Sequence, residues 1–334
     1  VTGAVSRIAQ LATGSLLLGS SYQKGSMRTM KVDHLKEGMF GSVVTELDLE
    51  SIDDSAWSEL YELWIDRALV IFPGAFLSAE GQDEFARRFG DLEFPRAALS
   101  NVGKNGKVHH ESDDEVVKSL RGNEGWHHDS TYMHVQAKGA VFSAEVVPSS
   151  GAATGFADMR SAYEELDSKT RERIADLEAY HSLYYSQGRG GNLPNKPNED
   201  GTYNLYGYHD MEVSLRPLVK IHPITGRPNL LIGRHAHDIV GMDPAESEAL
   251  LDELNEWACQ PPRTYHHQWE VGDAVVWDNR RLQHRGTPFD MKEPRRMWHT
   301  RIAGDPSSEL AINHRIDAVP SDDTERHPTG TWAC

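Results

Sequence analysis

Trp126-His127-His128-Asp129-Ser130-Thr131-Tyr132 is the stretch on which the reading of this chain turns. His127 and Asp129 stand two positions apart. On an extended backbone side chains alternate between faces, so these two project together while His128 points away. An imidazole beside a carboxylate supplies two of the three ligands of a 2-His-1-carboxylate facial triad, which holds a metal on one face and leaves positions open. Alone, an H-x-D pair is common. His284 is the candidate third ligand, within Trp277-Asp278-Asn279-Arg280-Arg281-Leu282-Gln283-His284-Arg285-Gly286. Gly272-Asp273 reads as a tight turn into a strand at Ala274–Trp277. Further on, Pro294-Arg295-Arg296 opens another strand-like run. Two strands joined by a short connection bring His284 and Arg295 side by side, where a guanidinium grips a carboxylate bidentately beside the metal. The plainer role for these arginines is to offset surface acid.

Around these segments the chain reads as alternating short strands and helices without internal repeats. Ser55–Ala68 carries Trp57, Leu60, Leu63 and Trp64 at helical spacing behind the cap candidates Asp53 and Asp54. Leu69–Phe72 is a short buried strand stopped by Pro73-Gly74, and a helix is expected at Ser78–Phe89. Val141–Val147 reads as a strand, with helices at Met159–Leu166 and Lys169–Tyr180. Ser186–Asn204 is rich in Gly, Asn and Pro and is expected to be a lid or a surface insertion. Val219–Ile232 has strand–turn–strand character. Asp243–Ala258 is an amphipathic helix with Leu250, Leu251, Leu254 and Trp257 on its buried face, and Tyr265–Ala303 is strand-rich. With no linker dividing the middle, residues 30–305 are expected to form one domain: a β-sandwich or barrel with helices outside. Residues 1–26, closed by Gly25-Ser26, are read as an added or upstream segment, and 306–334 as a polar C-terminal tail.

The 334 residues carry 38% hydrophobic side chains, enough for a sizeable core. Their net charge of −17 opposes phosphate backbones and anionic lipid surfaces, which disfavours nucleic acid and membrane as partners. Two cysteines, Cys259 and Cys334, exclude a disulfide scaffold and fit a reducing, cytoplasmic setting. No run reaches the ~20 apolar residues of a membrane span.

Trp126–Tyr132, Val146–Leu166 and Val271–Asp305 together resemble the taurine / 2,4-dichlorophenoxyacetate (TauD/TfdA) dioxygenases. The similarity runs from about Gly41 to Asp305. Ser100-Asn101-Val102 and Phe156-Ala157-Asp158-Met159-Arg160-Ser161-Ala162-Tyr163 lie nearer the aryloxyacetate branch. The resemblance implies a mainly β fold with flanking helices around a double-stranded β-helix, the cupin-like jelly roll. It implies an Fe(II) enzyme that uses O2 to decarboxylate 2-oxoglutarate to succinate and CO2 while hydroxylating a small organic acid. An aryloxyalkanoate substrate would then lose its ether bond. By position, His127, Asp129 and His284 match the metal ligands. Thr154 and Arg295 match the residues that hold 2-oxoglutarate, with Arg296 as the alternative if the strand slips by one. Asn123 falls where a substrate-contacting residue lies. The family's usual second arginine is replaced by His299, and Arg301, on the same strand face, is expected to substitute for it. This departure leaves sulfonates and amino-acid derivatives open as substrates. Family members are often dimers or tetramers, so a homo-oligomer is expected.

A zinc hydrolase would use the same three ligands but has no need of a Thr154/Arg295 carboxylate clamp. A non-catalytic binding protein is the other alternative. His110, beside His109 and Glu111, either lines the substrate pocket or sits in solvent, and Lys118 and Arg121 read as a solvated face. Cys259 reads as a helix-end core residue, and Trp126, Trp277 and Trp298 as packing beneath the site.

Overall fold

The computed structural model describes residues 30–35, 40–195, 206–208 and 211–315. Its first part runs β1 (Lys31–His34), β2 (Ser42–Thr45), α1 (Asp54–Arg67), β3 (Leu69–Phe72), α2 (Ala79–Arg87), β4 (Ala97–Ser100) and α3 (Glu115–Gly122). The middle continues through β5 (Gly139–Val146), β6 (Thr154–Asp158), α4 (Met159–Glu164), α5 (Ser168–Ile174), β7 (Glu178–His181) and α6 (Leu183–Arg189). Next come β8 (Ser214–Pro217), β9 (Val219–Ile221), β10 (Pro228–Leu230), β11 (Ala236–Ile239) and α7 (Pro244–Ala258). The last part holds β12 (Thr264–His267), β13 (Ala274–Asp278), β14 (Leu282–Gly286), β15 (Arg296–Ile302) and α8 (Pro306–Glu309).

A seven-stranded sheet in the order β1-β2-β3-β13-β5-β15-β4 faces a three-stranded sheet, β12-β6-β14. Between them Ile71, Phe142, Val275, Trp277 and Met297 of the large sheet meet Phe156 and Leu282 of the small one. This is the jelly-roll architecture that the resemblance implied. The period of two explains why β3 is apolar throughout. Leu69 and Ile71 enter the inner core, while Val70 and Phe72 pack outward against Leu60 and Trp64 of α1 and Phe85 of α2. In β13, Val275 and Trp277 point inward and Ala274 and Val276 outward. Burying each large side chain of this kind contributes about 1.5–3 kcal/mol, so the strands that carry the site are among the most firmly held. Helix α1 begins where Asp53 Oδ1 accepts from the Ser55 and Ala56 N–H groups, a cap worth about 1 kcal/mol. On the other side, α4 and α7 cover β9–β11 through Met159, Leu230, Ile239, Leu250 and Leu254.

Four expectations differ from the structure. Trp257, expected on the buried face of α7, is 36% exposed in its last turn, where its Nε1 donates to the Ala162 carbonyl at 3.0 Å and Arg263 lies over its ring. The helix read at Lys169–Tyr180 stops at Ile174, and Glu178–His181 is instead the central strand of a β11-β7-β8 sheet, with Ala179 and His181 buried and Glu178 and Tyr180 half-buried. A helical run of Arg and Glu masked the switch from period 3.6 to period 2. The expected loop at Ser186–Asn204 begins inside α6, which Ser182 caps by accepting from the Tyr185 N–H; residues 196–204 lie outside the described residues. The polar tail starts packed, since α8 follows Asp305 and Glu309 is buried, ion-paired with Lys220 and accepting through its carbonyl from Arg216 Nη1 at 3.0 Å. Residues 1–29 and 316–334 lie outside the described residues.

Candidate metal centre

A single antiparallel bridge joins His127 to His284 across the edge of β14. The His127 N–H donates to the His284 carbonyl at 3.0 Å and the His284 N–H to the His127 carbonyl at 2.8 Å. Such a reciprocal pair sets the two residues directly opposite each other, and their imidazole centroids lie 4.3 Å apart. Asp129 is fixed by Asn279, just beyond β13. Asn279 Oδ1 accepts from the Asp129 N–H at 2.8 Å, and its Nδ2 donates to the carbonyls of Asp129 at 3.0 Å and Ala137 at 2.8 Å. The chain then bends sharply at Ser130, with φ of 57°. The result is that one donor atom from each of His127, Asp129 and His284 lies within 4.8 Å of the others, with all three residues buried.

The donor chemistry fits a divalent metal. His127 Nδ1 donates to the Gly125 carbonyl at 2.7 Å, which fixes the tautomer and leaves the Nε2 lone pair free. Asp129 Oδ1 accepts from Arg301 Nη2 at 2.8 Å, whereas Oδ2 has no hydrogen-bond partner among the described residues and lies 3.7 Å from His284 Nε2. Burial, reinforced by His284 and Arg234, holds His127 well below its ordinary pKa. Burial likewise pushes His284 down to about 3, against the pull of Asp129. For Asp129, burial alone would raise the pKa, but Arg301 and then His284 overcome it and keep the carboxylate ionised. Two neutral imidazoles and an ionised carboxylate are the protonation states that ligation requires. His128 is turned from this cluster, with Nδ1 donating to the Asn279 carbonyl at 2.7 Å.

A cleft opens over the three ligands. Its apolar wall includes Leu99, Leu120, Phe142, Phe289 and Met291, and Asn123, Thr154, Arg295 and His299 also line it. Arg295 is 7% exposed, its guanidinium lies 5.9 Å from the Phe142 ring and 5.8 Å from the Phe289 ring, and its only side-chain hydrogen bond among the described residues is a long one of 3.4 Å to the Leu99 carbonyl. No carboxylate among the described residues pairs with it, and burial pushes its pKa down to about 10. A buried cation in that state is a receptor waiting for an anion. Thr154 Oγ1 accepts from Trp269 Nε1 at 2.9 Å, so its own hydroxyl hydrogen remains free to donate.

The other candidates divide. Arg296 faces outward and pairs with Glu145 at 3.0 Å, so the strand has not slipped by one. His299 is buried and stacked on Trp277 with centroids 5.7 Å apart, its Nε2 3.5 Å from Asp129 Oδ2. Arg301 shares the inward face as expected, but its guanidinium is engaged by Asp129 and Ser130 rather than free to grip an acidic substrate. His110 is exposed beside Glu111 and is not among the residues lining the cleft. Trp277 packs beneath the site, whereas Trp298 faces outward, bonded to Glu145 and covered by Arg96. Asn279 and Glu93 were not singled out from the sequence. Nor was α3, whose end carries Asn123, although Asp114 followed by Val116, Val117 and Leu120 was a readable cap and apolar face.

A hydrolytic zinc site has no use for an unpaired buried arginine beside its ligands, whereas a metal centre that binds a dicarboxylate cosubstrate requires one. On a jelly roll, that pairing defines the Fe(II) and 2-oxoglutarate-dependent dioxygenases. A family model described as "Taurine catabolism dioxygenase TauD, TfdA family" matches residues 31–301, and the chain belongs to this family. It is 58% identical over 279 residues to a protein of Sphingobium herbicidovorans named (S)-phenoxypropionate/alpha-ketoglutarate-dioxygenase, covering 83% of this chain and 96% of that protein. A protein of the same name from Delftia acidovorans is 51% identical over 278 residues, covering 81% of this chain and 94% of its relative. Among solved structures, AAD-2 in complex with Mn(II) and N-oxalylglycine superposes with a TM-score of 0.78 at 34% identity, over 86% of this chain and all of AAD-2 (100%). The chain is a 2-oxoglutarate-dependent dioxygenase, and His127, Asp129 and His284 form a donor set suited to Fe(II). Among the described residues, no helix is long and apolar enough to cross a membrane.

Proposed function

We propose that this enzyme hydroxylates small 2-aryloxyalkanoates, with (S)-2-phenoxypropionate as the type substrate, at the carbon that bears the ether oxygen. Similarity to two proteins named for that substrate supports this reading, and so does a cleft with one apolar wall beside the ligands. Bound Fe(II) supplies O2 activation coupled to decarboxylation of 2-oxoglutarate, one oxygen atom ending in succinate and the other in the substrate. The chain's own residues bind and orient. His127, Asp129 and His284 hold the metal. Arg295 takes the distal carboxylate of 2-oxoglutarate through charge-assisted hydrogen bonds, and Thr154 donates its free hydroxyl hydrogen to a cosubstrate carboxylate. Leu120, Phe289 and Met291 receive the aryl ring and exclude water, while Asn123 and His299 face the substrate's polar end. The hydroxylated carbon then carries both OH and OAr; its C–OAr bond breaks, the phenol leaves with the hydroxyl proton and a 2-oxo acid remains.

The observation that carries this reading is the unpaired Arg295 on a largely apolar cleft above a His-Asp-His cluster. Residues 30–305 act as one catalytic domain in this account. A cytoplasmic, dimeric or tetrameric enzyme follows from the resemblance and from the two-cysteine content, and light scattering reads the assembly. The test is production of succinate and phenol from (S)- and (R)-2-phenoxypropionate, with taurine as the sulfonate control. Stoichiometric phenol and succinate from an aryloxypropionate supports the proposal. Succinate production driven by taurine and not by the aryloxypropionates overturns it.

A further inference from the structure

Arg301 is the most heavily braced charged side chain beside the metal ligands. Its Nη2 donates to Asp129 Oδ1 at 2.8 Å, its Nη1 to Ser130 Oγ at 3.0 Å, and its Nε lies 3.8 Å from Glu93 Oε2. Glu93 in turn accepts from Ser130 Oγ at 3.0 Å and from the Tyr206 hydroxyl. The guanidinium carbon sits 4.9 Å from the Phe94 ring and 5.5 Å from the Tyr206 ring. This plane is therefore gripped on its edge and against its faces, and a guanidinium held so firmly has one orientation to offer.

The consequence falls on Asp129. One carboxylate oxygen is occupied by Arg301, and the other is left without a hydrogen-bond partner among the described residues, on the side of the histidine nitrogens. A carboxylate with both oxygens free can present either one or both to a cation. We propose that Arg301 is a positioning residue that restricts Asp129 to a single donor oxygen, Oδ2, so that the coordination positions needed by the cosubstrate stay open. Two features separate this from a simple charge-balancing role. Glu93, 3.8 Å from Nε, is a second acidic neighbour, so Asp129 is not the guanidinium's single carboxyl partner among the described residues. The bond to Asp129 is short and directed at one named oxygen, as positioning requires and neutralisation does not. The substitution of His299 for the usual arginine fits the same division: Arg295, just before β15, lines the cleft, and the inner face of β15 carries His299 and then Arg301 on the metal carboxylate.

The inference rests on the Fe(II)/2-oxoglutarate centre, and its test separates metal from cosubstrate. Mn(II) binding, and then N-oxalylglycine binding to the Mn(II)-loaded protein, are measured by calorimetry for wild type, Arg301→Met and Arg301→Lys, with His127→Ala as the control for the centre itself. The expected result for Arg301→Met is Mn(II) affinity within about threefold of wild type or tighter, with N-oxalylglycine weakened about tenfold or more. Arg301→Lys, which keeps a donor for Oδ1, stays within about threefold of wild type on both. If Arg301→Met fails to fold by circular dichroism, Glu93→Gln is read in its place, with about threefold weaker N-oxalylglycine and unchanged Mn(II) expected from a loosened Arg301. N-oxalylglycine affinity within about twofold of wild type in the variant read, equal loss in the lysine variant, or loss of Mn(II) binding overturns the proposal. Full Mn(II) binding by His127→Ala would instead undo the centre on which the inference rests.

Discussion

Replacing Arg295 with methionine separates what this side chain does for the cosubstrate from what it does for the fold. If Arg295 grips a carboxylate with two charge-assisted hydrogen bonds, each worth about 1.5–3 kcal/mol, its loss costs about 3–6 kcal/mol of 2-oxoglutarate binding. At 1.4 kcal/mol per factor of ten, that is about a hundredfold to ten-thousandfold in affinity. Stability should move the other way or not at all. In the free protein Arg295 is 7% exposed, unpaired by any described carboxylate, and among the described residues its side chain is hydrogen-bonded only at 3.4 Å to the Leu99 carbonyl. Its backbone N–H bond to Asn101 Oδ1, at 2.7 Å, survives the substitution. Methionine of similar length fills the space against Phe142 and Phe289 without a buried charge. The assay is a thermal melt of the cosubstrate-free protein beside a 2-oxoglutarate titration. The expected outcome is a midpoint equal to or above wild type with the titration shifted at least a hundredfold. A fall of several degrees with little change in the titration would refute the reasoning and make Arg295 a structural residue. Arg296→Met, which breaks only the outward pair with Glu145, should leave the titration unchanged.

Further outcomes follow from the same geometry. Asn279→Ala removes three hydrogen bonds that clamp Asp129 and Ala137, leaves buried backbone groups unsatisfied and should cost about 2–4 kcal/mol by urea unfolding, with Mn(II) affinity falling in parallel. His128→Ala, on the opposite face from the ligands, should destabilise by about 1–3 kcal/mol yet bind one Mn(II) with near wild-type affinity by calorimetry. Asp278 is buried, which works to raise its pKa, but Arg280 and His222 overcome that and hold it well below the carboxylate range. A depressed folded pKa means a contribution to stability that is complete above the unfolded value near 3.8 and lost as pH falls below it. Asp278→Asn should therefore flatten the dependence of unfolding free energy on pH between about 2 and 4, and an unchanged slope would count against the pair.

Elements buried on both faces were the readable part of this fold. Leu69–Phe72 and Ala274–Trp277 are apolar at successive positions because each strand has one row in the inner core and one beneath the outer helices. The H-x-D was readable for the related reason that alternation alone separates His127 and Asp129 from His128. What brings His284 to them, a two-bond bridge between residues far apart in the chain, leaves no local pattern. Asn279 escaped notice because it serves backbone groups rather than the metal, and a polar residue after a strand reads as a turn. Arg301 was placed on the correct face of β15, yet its partner depends on Glu93 and Tyr206 closing around it from other elements. The helix at Lys169–Tyr180 ran too long because composition favours helix past Ile174, and only the pairing of β7 with β8 and β11 decides otherwise.

Anaerobic titration of the metal-free protein with Fe(II) in the presence of 2-oxoglutarate addresses the three-ligand centre most directly, through the visible metal-to-ligand charge-transfer band that such a chelate produces. The account predicts saturation at one Fe(II) per chain for wild type and His110→Ala, and no band for His127→Ala, Asp129→Ala or His284→Ala. A full band in any of those three variants, or none in wild type, would contradict it.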